Sequence, residues 1–410
     1  MESNLPKILI FSLAYQPFVG GAEVAIKEIT DRLGGEFDFD MITANLDGRQ
    51  KEFEHLGNIN VYRISLFPPP YEACLPVGRE GGWGEVKKLI NKYLFPWLAY
   101  KKAVELHQQN NYQMIWAMMA NQAGWAALKF KKKFPPVKYL LTLQEGDSEW
   151  DIFWRTFLIR LIYKAIYRRA DYIQAISNFL KKRAENLGAQ CPIGVVPNGV
   201  SIKNYELRIK NNDLKRVISV SRLVKKNGLE DLIKAMAIVN KNQDKPVVLK
   251  IIGEGNLRRK LDGLIKKNNI NDRAIIKKYN KEEKVLEGQV SNKQVYEYLS
   301  QADIFIRPSL SEGLGNAFLE AMSVGVPVIA TLVGGIPDFL RDRETGWFCK
   351  VKDPKSIAEK INYILNPANK DIVAGVVENA RKMVQEKYNW DSIAVSMRNI
   401  FIDVIARERK

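Results

Sequence analysis

The chain has 410 residues, 46% hydrophobic and 27% charged, with 63 Lys/Arg against 46 Asp/Glu and a formal net charge of +17. That is too long for one hydrophobic core and suits two domains of about 200 residues, while three scattered cysteines, Cys74, Cys191 and Cys349, argue against a disulfide framework and suit a reducing cytoplasm. A basic surface attracts nucleic acid, anionic lipid or anionic substrates alike, but no zinc finger or RNP string accompanies it and nucleic acid is not an expected partner.

Polar Met1–Pro6 leads directly into the apolar run Lys7–Ala14, so no secretory signal is expected and a strand buried on both faces is. The loop Gln16–Gly21 follows, then an amphipathic helix over about Ala22–Leu33. Phe37–Ala44 and Ile59–Leu66 read as strands. Asp38-Phe39-Asp40 has the letters of a metal-binding DxD, but it sits inside strand alternation and is rejected as one. Pro68-Pro69-Pro70 marks an extended break.

Residues 1–76 carry 6 Lys/Arg and 11 Asp/Glu, whereas 77–183 carry 19 and 8. The basic excess of the first half is therefore one block. It begins with a basic, aromatic segment, Val77–Asn111, read as a long helix kinked or broken near Pro96, and continues through the strands Met114–Ala120 and Val137–Leu143. Ile152–Arg169 reads as one further helix. Spaced four apart, Arg160, Lys164 and Arg168 form a cationic stripe, with Tyr163 and Tyr167 beside it and apolar residues around the rest. Such a helix either packs on the sheet with its stripe in water or docks on an anionic membrane; docking is the expectation, with Lys131-Lys132-Lys133 adding charge. No apolar run approaches the roughly 20 residues that span a bilayer.

Tyr172–Ser177, a helix over Asn178–Leu187 and Ile193–Val196 complete the first domain, and Ser201–Leu214 is a polar linker. The second domain begins with the strand Arg216–Leu223, a helix over Gly228–Asn240, the strand Val247–Gly253 and the turn Glu254-Gly255. Asn271–Lys284 reads as an insertion before the run Val285–Val290. Then comes the most informative stretch, Arg307–Asp338. A strand ends in Asp303–Ser309, a loop carries Glu312-Gly313-Leu314-Gly315-Asn316, a helix carries Glu320, and the strand Val326–Thr331 precedes Gly334-Gly335. Strand, glycine loop and helix start are the layout that binds a diphosphate, because glycines admit close backbone approach and the first helical N–H groups meet the anion. Two carboxylates flank that site. They suit the hydroxyls of a nucleotide-sugar, Glu320 the ribose and Glu312 the transferred sugar. Only His55 and His107 are present, so no histidine metal cluster is available.

This string, E-G-x-G-x-x-x-x-E from Glu312 to Glu320, E-A-M-x-x-G-x-P-V-I-A-T from Glu320 and G-G-I-P-D from Gly334, resembles the retaining glycosyltransferases of family GT4. The resemblance covers nearly the whole chain. It implies an α/β GT-B fold, two Rossmann-like domains facing a cleft: residues 1–204 for the acceptor, 205–388 for the donor, and a last helix in 389–410, entered at Asn389-Trp390-Asp391, crossing back onto the first domain. Pro197-Asn198-Gly199-Val200 matches the family's crossing between domains.

The resemblance also implies roles. Gly20 and Gly21 approach the donor phosphates; Gly253, Gly313, Leu314, Gly315, Asn316 and Ala317 belong to the donor site; Val290 stands where the family's backbone meets the nucleotide base. Arg222 matches the diphosphate-binding arginine. The family's lysine position holds Asn227, and Lys226, or else Lys225, is expected to substitute. Gln144 stands where relatives place a histidine; it can bond a sugar hydroxyl but carries no charge. Glu312, Arg222 and Gln144 are the catalytic candidates. The expected reaction is metal-independent transfer, with retention, from a UDP- or GDP-sugar to a lipid-linked or saccharide acceptor, at the inner face of the membrane and with no cofactor. The alternatives are a phosphorylase- or epimerase-like GT-B protein and a basic nucleotide-binding protein without catalysis.

Overall fold

The computed structural model describes residues 5–18, 20–46, 48, 50–66, 83–202, 214–241, 246–277 and 290–407. The triple-proline break, the start of the basic segment, most of the linker, and the end of the insertion with the run leading to Val290 lie outside them. The chain divides into two compact units.

The first unit comprises Met1–Glu145, Glu149–Pro197 and Trp390–Lys410. Its strands are β1 (Lys7–Phe11), β2 (Asp38–Ala44), β3 (Phe53–Leu56), β4 (Ile59–Ile64), β5 (Met114–Met118), β6 (Lys138–Leu143), β7 (Tyr172–Ala175) and β8 (Ile193–Val195). They form one sheet in the order β3-β4-β2-β1-β5-β6-β7-β8. All pairs are parallel except β3 with β4. The central strands are near-continuous apolar runs because helices cover both faces: Ile8, Leu9, Ile10 and Phe11 are fully buried.

The helices of this unit are α1 (Gly21–Leu33), α2 (Trp83–Asn110), α3 (Gln122–Lys133), α4 (Glu149–Thr156), α5 (Arg160–Arg168) and α6 (Asn178–Asn186). Helix α2 runs through Pro96. Asp40 lies on β2 and accepts hydrogen bonds from Tyr112, Asn60 and Asn110; its carboxylate is occupied within the fold, which accounts for an acid in that strand.

The second unit comprises Gly146–Ser148 and Asn198–Asn389. It holds β9 (Lys215–Val220), β10 (Val247–Ile252), β11 (Ala274–Lys277), β12 (Ile304–Arg307), β13 (Val328–Thr331) and β14 (Trp347–Cys349), all parallel, in the order β11-β10-β9-β12-β13-β14. Its helices are α7 (Leu229–Lys241), α8 (Arg258–Lys267), α9 (Val290–Ser300), α10 (Asn316–Ser323), α11 (Pro354–Leu365) and α12 (Lys370–Lys387).

Helix α13 (Trp390–Ala406) then returns to the first unit. It packs on α1 and buries Trp390, Ile393, Met397 and Phe401 in the same core as Ile26, Phe37 and Trp116. The Phe401 ring meets Phe37 at 5.4 Å and Trp116 at 5.2 Å, and Arg32 pairs with Asp391 at 2.7 Å.

One expected element differs. Ile152–Arg169 is not a single helix: α4 ends at Thr156, a turn of 3-10 helix covers Phe157–Ile159, and α5 begins at Arg160. Tyr163 and Tyr167 do not flank a surface stripe. Both are buried, with hydroxyls 3.0 Å apart. Arg160 lies over the Phe153 ring at 4.8 Å, and Arg168 packs against Gly188. Beside exposed Arg155 and Arg168, large apolar side chains face water: Trp150 is 68% exposed, Trp154 57%, Phe157 55%, Leu158 95% and Leu161 86%. The apolar period runs unbroken through the 3-10 turn, so period alone could not reveal the change of direction or which side is covered.

Candidate active site

In the second sheet, β9 has β10 on one side and β12 on the other. Chain direction across the sheet reverses there, and a doubly wound sheet binds ligands beyond the carboxyl ends of such strands. The loops leaving β9 and β12 carry the candidate residues.

The loop after β12 is built to hold Glu312. The Gly334-Gly335 turn presses on its backbone: Gly335 N donates to Glu312 O at 3.1 Å, and a Cβ on Gly334, whose φ is 57°, would lie 1.8 Å from that oxygen. Only glycine fits both the left-handed conformation and the contact. Thr331 Oγ1 donates to Ser309 O at 2.5 Å and fixes the loop's entry. Gly315, with φ 93°, caps α10 without a side-chain hydrogen bond, so the first turn of α10 keeps N–H groups open toward an anion. Leu314 is 1% exposed and offers a ligand only its backbone. Asn316 accepts from Asn198 Nδ2 at 3.4 Å.

The side chain of Glu312 is not free. Its Oε2 accepts from Arg307 Nη2 at 2.6 Å and its Oε1 from Gly313 N at 3.2 Å. Arg307 ends the apolar strand Ile304–Arg307, is 7% exposed, lies 4.4 Å above the Phe318 ring, and donates to Val220 O at 3.3 Å. Glu320, on α10, has its carboxyl raised to about 7 by desolvation, against which Arg307 acts.

The loop after β9 meets this one. Leu310 N donates to Lys226 O at 2.6 Å. Lys226 Nζ donates to Asp147 at 3.0 Å, and a Cβ on Gly146 would lie 3.3 Å from Lys226 Nζ, 3.3 Å from Glu312 Oε1 and 2.7 Å from Gly313 N. Lys226, Glu312 and Gly313 are thus drawn together around Gly146. Asn227 points elsewhere. It is 4% exposed and donates to Arg222 O at 2.6 Å, bracing the loop. Lys225 and the side chain of Arg222 face solvent. Gly253 lies under this loop, where a Cβ would sit 1.9 Å from Ser221 O. Val290 opens α9.

In the first unit, Gly20 is the N-cap of α1 and Gly21 its first residue, both exposed beyond the carboxyl end of β1. Gln144 follows β6 and is half-buried. Its neighbour Glu145 turns inward, accepting from Ala120 N at 2.5 Å and Gln144 N at 3.1 Å; desolvation raises its carboxyl, and these bonds pull it back. Arg183 bonds Glu145 O at 3.0 Å and Glu149 at 2.6 Å, tying α6 to this loop. Arg307, Glu145, Asp147 and Gly146 were absent from the expected site. Arg307 left a signal, a charge closing a buried strand, and the others stand in the four-residue string directly after Leu143. Among the described residues no three His, Cys, Asp or Glu side chains cluster as a metal site would.

Two doubly wound units with a glycine loop and paired glutamates define a GT-B glycosyltransferase. Residues 206–390 match the family model described as glycosyl transferases group 1, and residues 19–204 match glycosyltransferase family 4; the chain belongs to family GT4. It is 28% identical over 411 residues to N-acetyl-alpha-D-glucosaminyl L-malate synthase of Bacillus anthracis, with 96% of each chain covered. Sucrose-phosphate synthase of Thermosynechococcus elongatus has the same fold, with a TM-score of 0.79 at 23% identity over 98% of this chain and 99% of that one. So does HepE of Anabaena, solved with UDP and glucose, at a TM-score of 0.71 and 16% identity over 97% and 99%.

Proposed function

We propose that the enzyme transfers a sugar from a nucleoside diphosphate sugar, UDP- or GDP-linked, to an acceptor hydroxyl with retained anomeric configuration. The observation that carries this reading is the convergence of Lys226, Glu312 and Gly313 beside the uncapped start of α10. The helix start, Lys226 and Arg222 would neutralise the leaving diphosphate, electrostatic stabilisation of the kind that dominates such reactions. Glu312 would orient the transferred sugar and Glu320 the ribose. The bond from the anomeric carbon to phosphate breaks, the acceptor oxygen bonds that carbon, and its proton passes to the departing phosphate oxygen, so Gln144 need only hold a hydroxyl. Cationic side chains take the place of a metal, and activity should survive EDTA; loss restored by Mn²⁺ would overturn that part. A thermal-shift screen across UDP-, GDP- and ADP-sugars, followed by donor hydrolysis, tests the whole. Stabilisation by none of them would overturn it.

Lys226→Ala should weaken nucleotide binding by about 1.5–3 kcal/mol, the worth of a charged hydrogen bond. Asn227→Ala should instead lower thermal stability by about 1–3 kcal/mol, because it removes a buried bond and leaves Arg222 O without that donor. Calorimetry and melting curves separate the two; the reverse order would return the phosphate role to Asn227.

For the acceptor, the exposed apolar crest from Trp150 to Leu161 supports a lipid-linked or cell-surface glycan reached at an anionic membrane, with the enzyme peripheral on the cytoplasmic face. Among the described residues no helix is long and apolar enough to cross a membrane. The Bacillus anthracis relative is named for L-malate, a small acceptor, which is the second reading; the crest favours the first.

A further inference from the structure

We infer that Arg307 is a positioning residue: its buried guanidinium holds Glu312 in one rotamer beside the glycine loop. The inference rests on the donor reading above. Three observations carry it. First, Arg307 is held at both Nη atoms and on one face, while its buried Nε is without a partner. Nη2 is on Glu312, Nη1 is on Val220 O, and the cationic plane lies over Phe318, which stands on α10 between the two glutamates. Second, the loop makes room for it. A Cβ on Gly315 would come within 2.6 Å of Arg307 Nη2, so the glycine that caps α10 is also the one that admits the guanidinium. Third, the pair sits where a strand–loop–helix site would present it. Glu312 keeps 13% of its side chain exposed and Arg307 8%, so the pair is largely withdrawn from water.

A carboxylate that must accept hydrogen bonds from a sugar needs one fixed orientation. An arginine fork supplies it through directional N–H groups, where a lysine would supply only charge. The same cation is the charged group that acts on Glu320. The helices packed against α10 bring buried Val295, Leu299 and Tyr296, whose hydroxyl accepts from Ser201 N, from α9, and buried Val376, Ala380 and Val384 from α12, which also carries Arg381 with its Nε buried. Removing Arg307 therefore has two separable consequences. Glu312 loses its orientation, and Glu320 loses the charge that opposes its protonation.

The test uses the full chain with Arg307→Met, Arg307→Lys and Glu312→Gln. Binding of UDP, GDP and ADP is followed by calorimetry across about three pH units centred on neutrality. Hydrolysis of the corresponding glucose nucleotides gives kcat and KM. In the wild type, affinity for the nucleotide that binds should fall about tenfold per pH unit on the acid side of neutrality, because a protonated Glu320 accepts fewer ribose hydrogen bonds. In Arg307→Met that fall should begin about one pH unit higher, and kcat should drop at least about tenfold with KM little changed. Arg307→Lys should restore the pH midpoint, which needs only charge, but not kcat, which needs the fork. The Arg307→Met/Glu312→Gln double variant should be no slower than Glu312→Gln alone, since Arg307 acts through that carboxylate. Should Arg307→Met fail to fold by circular dichroism, the Arg307→Lys split of midpoint from kcat carries the test. A wild-type midpoint and kcat in Arg307→Met, additive losses in the double variant, or full kcat in Arg307→Lys would overturn the inference while leaving the donor reading intact. A wild-type protein that binds none of the three nucleotides would overturn both.

Discussion

Glu312→Gln should lower the rate of sugar transfer by about 10²-fold or more while nucleotide affinity falls by less than about tenfold. The two effects separate because the groups that would grip the diphosphate, the start of α10 and Lys226, do not depend on the charge of Glu312. The amide keeps the shape of the carboxylate and one accepting oxygen but not its charge, so the bond that the 7%-exposed Arg307 guanidinium makes at 2.6 Å is weakened. Glu320→Ala should show the opposite pattern, weaker nucleotide binding with a smaller effect on the rate of bound donor. Steady-state kinetics with calorimetry on both variants checks the assignment. Wild-type turnover in Glu312→Gln, or unchanged binding in Glu320→Ala, would reject the roles given to the two carboxylates.

The parts of this molecule that the sequence made legible are those where one rule acts alone. Strands β1, β5, β6, β9, β10 and β12 are short, mainly apolar runs because parallel strands are covered on both faces, and such runs need no partner to be recognised. Strand β3 was missed for the converse reason. Phe53–Leu56 is a four-residue antiparallel edge strand with alternately exposed side chains and no apolar run. The glycine loop was legible because its chemistry is local in sequence. The Glu312–Arg307 pair is only five residues long, yet it was not read. A strand-ending arginine could equally face solvent, and what turns it inward is the room Gly315 leaves for its guanidinium and Phe318 rising from α10. Asn227 shows the same limit. Its place in the motif suggested a ligand contact or none, and only the fold reveals a side chain turned back on Arg222 O.

The crest on α4 and α5 carries the second large effect. On the reading proposed above it inserts into the headgroup region of an anionic membrane, and the weight falls on the apolar residues rather than on the stripe Arg160, Lys164 and Arg168. Leu158 and Leu161 are 95% and 86% exposed, and burying a leucine side chain is worth about 1.5–3 kcal/mol. The Leu158→Ser/Leu161→Ser variant should therefore lower partition onto vesicles of phosphatidylglycerol and phosphatidylcholine by about 10²-fold or more. Each basic residue near such a surface contributes about 1 kcal/mol, but Arg160 is already stacked on Phe153 and Arg168 lies against Gly188. Changing the three cations to Gln should then cost less than changing the two leucines, and that contribution alone should vanish at high salt. The rings themselves report insertion. Trp150 and Trp154, with centroids 5.5 Å apart and more than half exposed, should shift their fluorescence to shorter wavelength on vesicle binding, and less so in the leucine variant. Co-sedimentation and fluorescence titration decide the matter. A wild-type protein that ignores anionic vesicles at low salt would move the acceptor into solution and leave the crest to a protein partner.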